Sequence, residues 1–172
     1  MSIRVLIVDD HAVVRAGLRL LLDAQDDIET VGEAGDAREA IFEARSTKPD
    51  VVLMDVVLGG KSGIEVTPEL LHEQPETRVL VLSMHDEAVY AQRALRAGAA
   101  GYIMKQEATE RVLVAIRKIL NGEVYLSERL GNRMLTVALD WCRAEAVDAV
   151  ILWPSPRSRS LYLRHGFAVR DD

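Results

Sequence analysis

Asp9 and Asp10 form an adjacent carboxylate pair, Asp55 and Lys105 each end an apolar run, and Ser83 closes another. If those runs are parallel strands, the five side chains meet on one rim. Three carboxylates held together repel one another and raise each other's pKa unless a cation sits among them. Oxygen ligands suit a hard cation, and Mg²⁺ is the ion expected. Lys105 adds a fixed positive charge and Ser83 a hydroxyl donor. A carboxylate can attack phosphorus, and Mg²⁺ with an ammonium would stabilise charge on the transferring phosphoryl oxygens. The chemistry indicated is phosphoryl transfer onto an aspartate.

The elements that must position these residues alternate. Ile3 to Val8 reads as a buried strand, and Val13, Val14, Gly17, Leu18, Leu21 and Leu22 then recur at helical spacing. Ile28 to Glu33 predicts a second strand, Ala37 to Arg45 a helix, and Val51 to Met54 a third strand after Pro49-Asp50. A weaker helix over Gly63 to His72 contains Pro68, which is tolerated near a first turn or at a kink. Arg78 to Ser83 and Gly101 to Met104 complete five strands, with helices over Glu87 to Ala97 and Thr109 to Leu120. Five β-α units with short, right-handed connections predict an α/β fold with a five-stranded, doubly wound parallel sheet. In such sheets the functional crevice lies at the carboxyl ends of the strands, where the five polar residues fall.

The 172 residues include 27 acidic and 21 basic side chains, a net charge of −6, which argues against nucleic-acid binding by bulk charge. One cysteine, Cys142, excludes an internal disulfide framework and a multi-cysteine zinc site. No apolar run reaches the roughly 20 residues of a membrane span, and the acids of MSIRVLIVDDH interrupt any signal-peptide pattern. The expectation is a cytoplasmic protein without a membrane partner.

In VLIVDDHAVVRAGLRLLL, VGEAGDAREAI, PDVVLMDVVL, VLVLSMHDE and ALRAGAAGYIMK the first 128 or so residues resemble the receiver domain of a bacterial response regulator of the NarL/FixJ type. The resemblance implies a flavodoxin-like fold and phosphoryl transfer from a sensor histidine kinase. Carried over by position, Asp55 is the phosphoacceptor and Asp9 and Asp10 form the acidic pocket. Asp10, Asp55 and the main-chain carbonyl of Val57 would ligate Mg²⁺. Ser83 would hydrogen-bond the phosphoryl group, Lys105 would pair with it, and Tyr102 would be the aromatic switch that moves when Ser83 is drawn inward.

Two departures stand out. The family usually carries Met-Pro-Gly after the acceptor strand, where this chain reads Leu58-Gly59-Gly60, which predicts a more mobile loop. Val57 replaces a frequently polar side chain, removing one handle on the water that would hydrolyse an acyl phosphate. Taken singly, an Asp-Asp pair is a solvated turn, Lys105 a surface charge and Tyr102 simple packing. Their order and spacing reverse the first two readings. His85 reads as a loop residue, and Met84 as either core or gatekeeper.

The domain reading is a receiver over 1–122, a linker over 123–130 and an α-β-α-β appendage over 131–172. The appendage has an apolar helix stripe of Met134, Leu135, Ala138, Leu139 and Cys142, and Val147 to Trp153 reads as a strand. Through SRSLYLRHGF it resembles the C-terminal half of a GNAT N-acetyltransferase, and the whole reads as a chimera. Only Gly131 remains of that family's pyrophosphate loop, and Tyr162 stands at a general-acid position without a cleft, so acetyltransferase activity is not expected. The tail is neutral and has no basic recognition helix, so DNA binding is not expected either. Strand 149–153 lacks sheet neighbours, which gives a homodimer a motive. Two other functions stay open: an acetyl-CoA-dependent acetyltransferase, active or as a receiver-regulated remnant, and an interaction scaffold that is never phosphorylated.

Overall fold

The computed structural model describes residues 2–84 and 88–126, with Thr136 and Asp140 beyond them. The chain divides into two compact units, residues 1–127 and 128–172, and every element below belongs to the first. In the second, Thr136 and Asp140 are helical and exposed. The predicted tail elements, the GNAT-like signature and His85 lie outside the described residues.

The elements follow the sequence β1 (Ile3–Val8), α1 (Ala12–Asp23), β2 (Ile28–Ala34), α2 (Ala37–Thr47), β3 (Val51–Asp55), β4 (Val57–Leu58), β5 (Lys61–Ser62), α3 (Gly63–Glu73), β6 (Arg78–Ser83), α4 (Ala88–Arg96), β7 (Gly101–Met104), α5 (Lys105–Leu120) and β8 (Tyr125–Leu126). The main sheet has the order β2-β1-β3-β6-β7-β8, and its strand pairs are parallel throughout. No described helix is long and apolar enough to cross a membrane.

Strand periodicity sorts the core into two layers. Val5, Ile7, Val51, Leu53, Leu80, Leu82 and Ile103 join one cluster with Leu18 and Leu22 of α1 and Val112, Ile116 and Ile119 of α5. The alternate residues Leu6, Val52, Met54, Val79 and Val81 are also buried, on the face where α2, α3 and α4 neighbour one another. Strand segments buried on both faces must be apolar throughout, which is why residues 5–8 of β1 and 51–54 of β3 read as continuous hydrophobic runs.

Local signals fix the ends. Asp36 caps α2 by accepting from the N–H groups of Arg38 and Glu39 at 2.7 and 2.9 Å. Lys48 closes that helix at φ +46°, directly before Pro49. Pro68 falls in the sixth position of α3 rather than its first turn. It cannot donate to the preceding turn, while the Thr67 hydroxyl donates to the Gly63 carbonyl at 2.8 Å.

Two expectations are corrected. The sheet has six strands rather than five, because Tyr125–Leu126, within the expected linker, pairs with β7. Gly101 makes this possible, since a Cβ there would lie 2.8 Å from the Tyr125 carbonyl oxygen and 3.0 Å from the Tyr125 Cβ. Lys118 sets its ammonium 5.4 Å from the Tyr125 ring centroid, and the Tyr125 N–H bonds Ala100 O at 3.0 Å. Helix α5 begins at Lys105 rather than Thr109. Its buried residues Ala108, Val112, Ala115 and Ile119 recur at three- and four-residue steps, and Lys105 extends that inward row by one turn.

Candidate functional site

Period-two alternation carries Asp9 and Asp55 to one place. Asp9 continues the row Val5-Ile7 and Asp55 the row Val51-Leu53, both on the face covered by α1 and α5. Lys105, opening α5, meets them there. Its ammonium lies 2.6 Å from Asp9 Oδ2 and 2.7 Å from Asp55 Oδ2, and both carboxylates are almost completely buried. Asp10 stands at the edge of the group with its side chain 25% exposed. Arg15 braces the first turn from outside, donating to the Asp9 carbonyl at 2.6 Å while paired with Glu33 at 3.2 Å.

Electrostatics follow from this packing. Burial pushes the Asp55 carboxyl above its ordinary value and the Asp9 charge adds to the rise, while Lys105 and the Val57 N–H pull it back. Burial also works against the Lys105 ammonium, but hydrogen bonds from it to Asp55 and Asp9 outweigh that and hold its pKa above the usual lysine value.

The acidic group fits a cation. Ligand atoms of Asp9, Asp10, His11 and Asp55 lie within 4.8 Å of one another. Asp9 Oδ2 and Asp10 Oδ1 are buried without a well-aligned hydrogen bond, Lys105 Nζ and His11 Nδ1 lying 2.6 and 2.7 Å from them. Buried carboxylate oxygens with incompletely met hydrogen-bonding capacity are what an oxygen-seeking cation would satisfy. His11 is the member that sequence reading missed. The signal was available in the Asp-Asp-His order, because the residue after the pair caps α1 and must sit over the same rim.

Ser83 and Tyr102 occupy the other face. Val81 pairs with Tyr102 and Ser83 with Met104, so Ser83, two residues beyond Val81, projects on the same side as Tyr102. Both are fully buried. Asp55 pairs with Leu82, one residue from Ser83. Met84 is 59% exposed, which removes the core alternative for that side chain.

Val57 is exposed and opens the β4-β5 hairpin, in which it pairs with Ser62 and Leu58 with Lys61. Gly59 and Gly60 take φ +51° and +106° at its tip, and the Gly59 N–H donates to Asp10 Oδ2 at 3.2 Å. Gly59 and Gly60 form the two-residue turn of a paired hairpin that needs positive φ at both positions.

The chain matches the model for the response regulator receiver domain over residues 5–117. It is 40% identical over 133 residues to the oxygen regulatory protein NreC of Staphylococcus haemolyticus, covering 77% of this chain and 61% of that protein. NreC of Staphylococcus aureus is 42% identical over the same span. Among solved structures, a LuxR-family two-component response regulator from Aurantimonas sp. SI85-9A1 superposes with a TM-score of 0.77 at 34% identity, covering 81% of this chain and 99% of that one. The receiver domain of the putative response regulator NarL from Mycobacterium tuberculosis gives 0.67 at 32%, over 71% and 98%. The chain therefore spans about 61% of the length of the curated relatives it matches.

Proposed function

The chain belongs to the response regulator receiver family, and from that premise we propose that Asp55 accepts a phosphoryl group from the phosphohistidine of a sensor histidine kinase. The observation that carries this reading is the Lys105 ammonium bridging Asp9 and Asp55 at the carboxyl ends of the strands. Asp55 Oδ attacks phosphorus, the P–O bond forms, the P–N bond to the kinase histidine breaks, and the histidine nitrogen leaves with the electron pair. Lys105 holds positive charge where the phosphoryl oxygens would arrive, and the sealed apolar layer beneath Asp55 keeps water away from its inner side.

Asp9, Asp10, Asp55 and the Val57 carbonyl would hold Mg²⁺. Bound there, the ion would neutralise charge developing on the transferring oxygens. Ser83 would donate its hydroxyl to the phosphoryl group. Its shared face with Tyr102 gives the switch a direct route, since a shift of Ser83 opens space on the side where the tyrosine packs. The surface formed by α4, β7 and α5 would then change for a partner.

The domains proposed are a receiver over 1–122, a connection over 123–130 and a C-terminal unit over 131–172, whose GNAT-like character rests on sequence resemblance alone. Charge neutrality of the tail argues against DNA binding, but family likeness does not bar it. A regulator of the same fold, RcsB of Salmonella typhimurium, was solved in connection with DNA interaction and is 21% identical, so it speaks to fold only. A self-associating tail and a cytoplasmic setting complete the proposal.

Incubation with acetyl phosphate and Mg²⁺, followed by borohydride reduction and peptide mapping, tests the site. A reduced residue at position 55 supports the reading. No reduced residue in the folded protein would favour the scaffold alternative, and reduction elsewhere with position 55 untouched would overturn Asp55 as the acceptor.

A further inference from the structure

We propose that the Gly59 main-chain N–H is a positioning group for Asp10, setting that carboxylate relative to Asp55. The proposal rests on the Mg²⁺ site described above. Leu58-Gly59-Gly60 departs from the usual Met-Pro-Gly at the proline, and a proline at position 59 would remove two things at once. It has no N–H to donate, and its ring fixes φ near −65°, whereas Gly59 holds φ +51°.

The donor sits on a rigid stem. Leu58 is buried, the Gly63 N–H bonds Val56 O at 2.9 Å, and Val56 N–H bonds Leu82 O at 3.1 Å. Gly63 also lies directly against the Asp55 carbonyl oxygen, leaving no room for a Cβ. The hairpin is thereby fixed to the backbone of the acceptor at its base and to Asp10 at its tip. Asp10 is the most exposed carboxylate among Asp9, Asp10 and Asp55, and without a partner on that side it would be free to rotate toward solvent. The bond engages Oδ2 and leaves Oδ1, which is buried without a well-aligned hydrogen bond beside His11 Nδ1 at 2.7 Å, to face a cation. Loss of a group that orients a ligand without touching the metal typically lowers metal affinity by about 10–100-fold.

The test is calorimetric titration of the full chain with Mg²⁺ and with Mn²⁺, for the parent, Gly59→Pro and Gly59→Asn. The proline variant is expected to bind about tenfold more weakly, as loss of an orienting partner does. Asparagine keeps the N–H and tolerates positive φ, so it should restore affinity to within about twofold. Urea midpoints of the three proteins separate lost orientation from lost folding. Equal affinity of a folded Gly59→Pro and the parent would overturn the proposal while leaving the Mg²⁺ site intact. No binding by the parent would remove both. An independent readout is the Gly59 amide proton in the metal-free protein, expected to shift upfield in Asp10→Ala. An unmoved resonance would overturn the proposal whether or not the proline variant folds.

Discussion

The Lys105 ammonium stands 2.7 Å from Asp55 Oδ2, joining the first residue of α5 to the last residue of β3 across 50 positions of sequence. The contact closes a buried cluster in which one cation faces two carboxylates, so its removal leaves like charges uncompensated. Lys105→Met is expected to destabilise the metal-free protein by about 3 kcal/mol, the cost of breaking a buried ion pair. Urea denaturation checks this, and added Mg²⁺ should restore part of the loss.

Asp55 gives the opposite sign. Burial and the neighbouring Asp9 raise its pKa, so the neutral form is favoured in the fold. That preference helps the fold at low pH and is lost as pH rises from the unfolded carboxyl value through the raised folded one. At neutral pH the ionised carboxylate therefore opposes folding. Asp55→Asn should raise the urea midpoint of the metal-free protein, and Mg²⁺ should stabilise the parent more than the variant. A lower midpoint in Asp55→Asn would contradict this electrostatic account.

Glu73 follows the ordinary carboxylate rule. Arg45 donates to both of its oxygens, at 3.1 and 2.7 Å, and ties α2 to α3. These bonds hold the Glu73 pKa below its usual 4.5. The stabilisation is complete above that value and is lost as pH falls through the lowered one. Glu73→Gln should thus be slightly less stable than the parent at about pH 6 and indistinguishable from it once the glutamate is protonated, because exposed pairs contribute little. A difference that persists in acid would point to packing instead.

The sixth strand depends on Gly101. A Cβ there would press on Leu80 Cδ1 and the Tyr125 carbonyl oxygen, each at 2.8 Å. Gly101→Ala should cost about 1–3 kcal/mol, the range for overpacking a tight site. Hydrogen exchange should show loss of protection at the Tyr125 N–H, which bonds Ala100 O. Unchanged protection would mean that β8 is held by the Lys118–Tyr125 contact rather than by close backbone approach.

Sequence reading located β1, β3, β6 and β7 because strands buried on both faces must be apolar throughout, and Asp9, Asp55 and Lys105 because each follows such a run. It missed β8 because two residues carry no periodicity, and the glycine that admits them lies 24 positions upstream. Apolar periodicity starts α5 late because Lys105, Gln106 and Glu107 are polar, although Lys105 faces inward for its charge rather than its hydrophobicity. The Leu58-Gly59-Gly60 sequence predicts mobility because glycine frees an isolated backbone, and it does not by itself reveal a hairpin. Cross-strand pairing and a bond to Asp10, 49 residues away, are not properties of the local sequence.

Intact-mass spectrometry after incubation with acetyl phosphate tests the central claim most directly, with parent and Asp55→Asn compared in Mg²⁺ and in chelator. The account predicts a gain of one phosphoryl group in the parent with Mg²⁺ and none in the variant or in chelator. An equal gain in Asp55→Asn, or no gain in a folded parent, would contradict it.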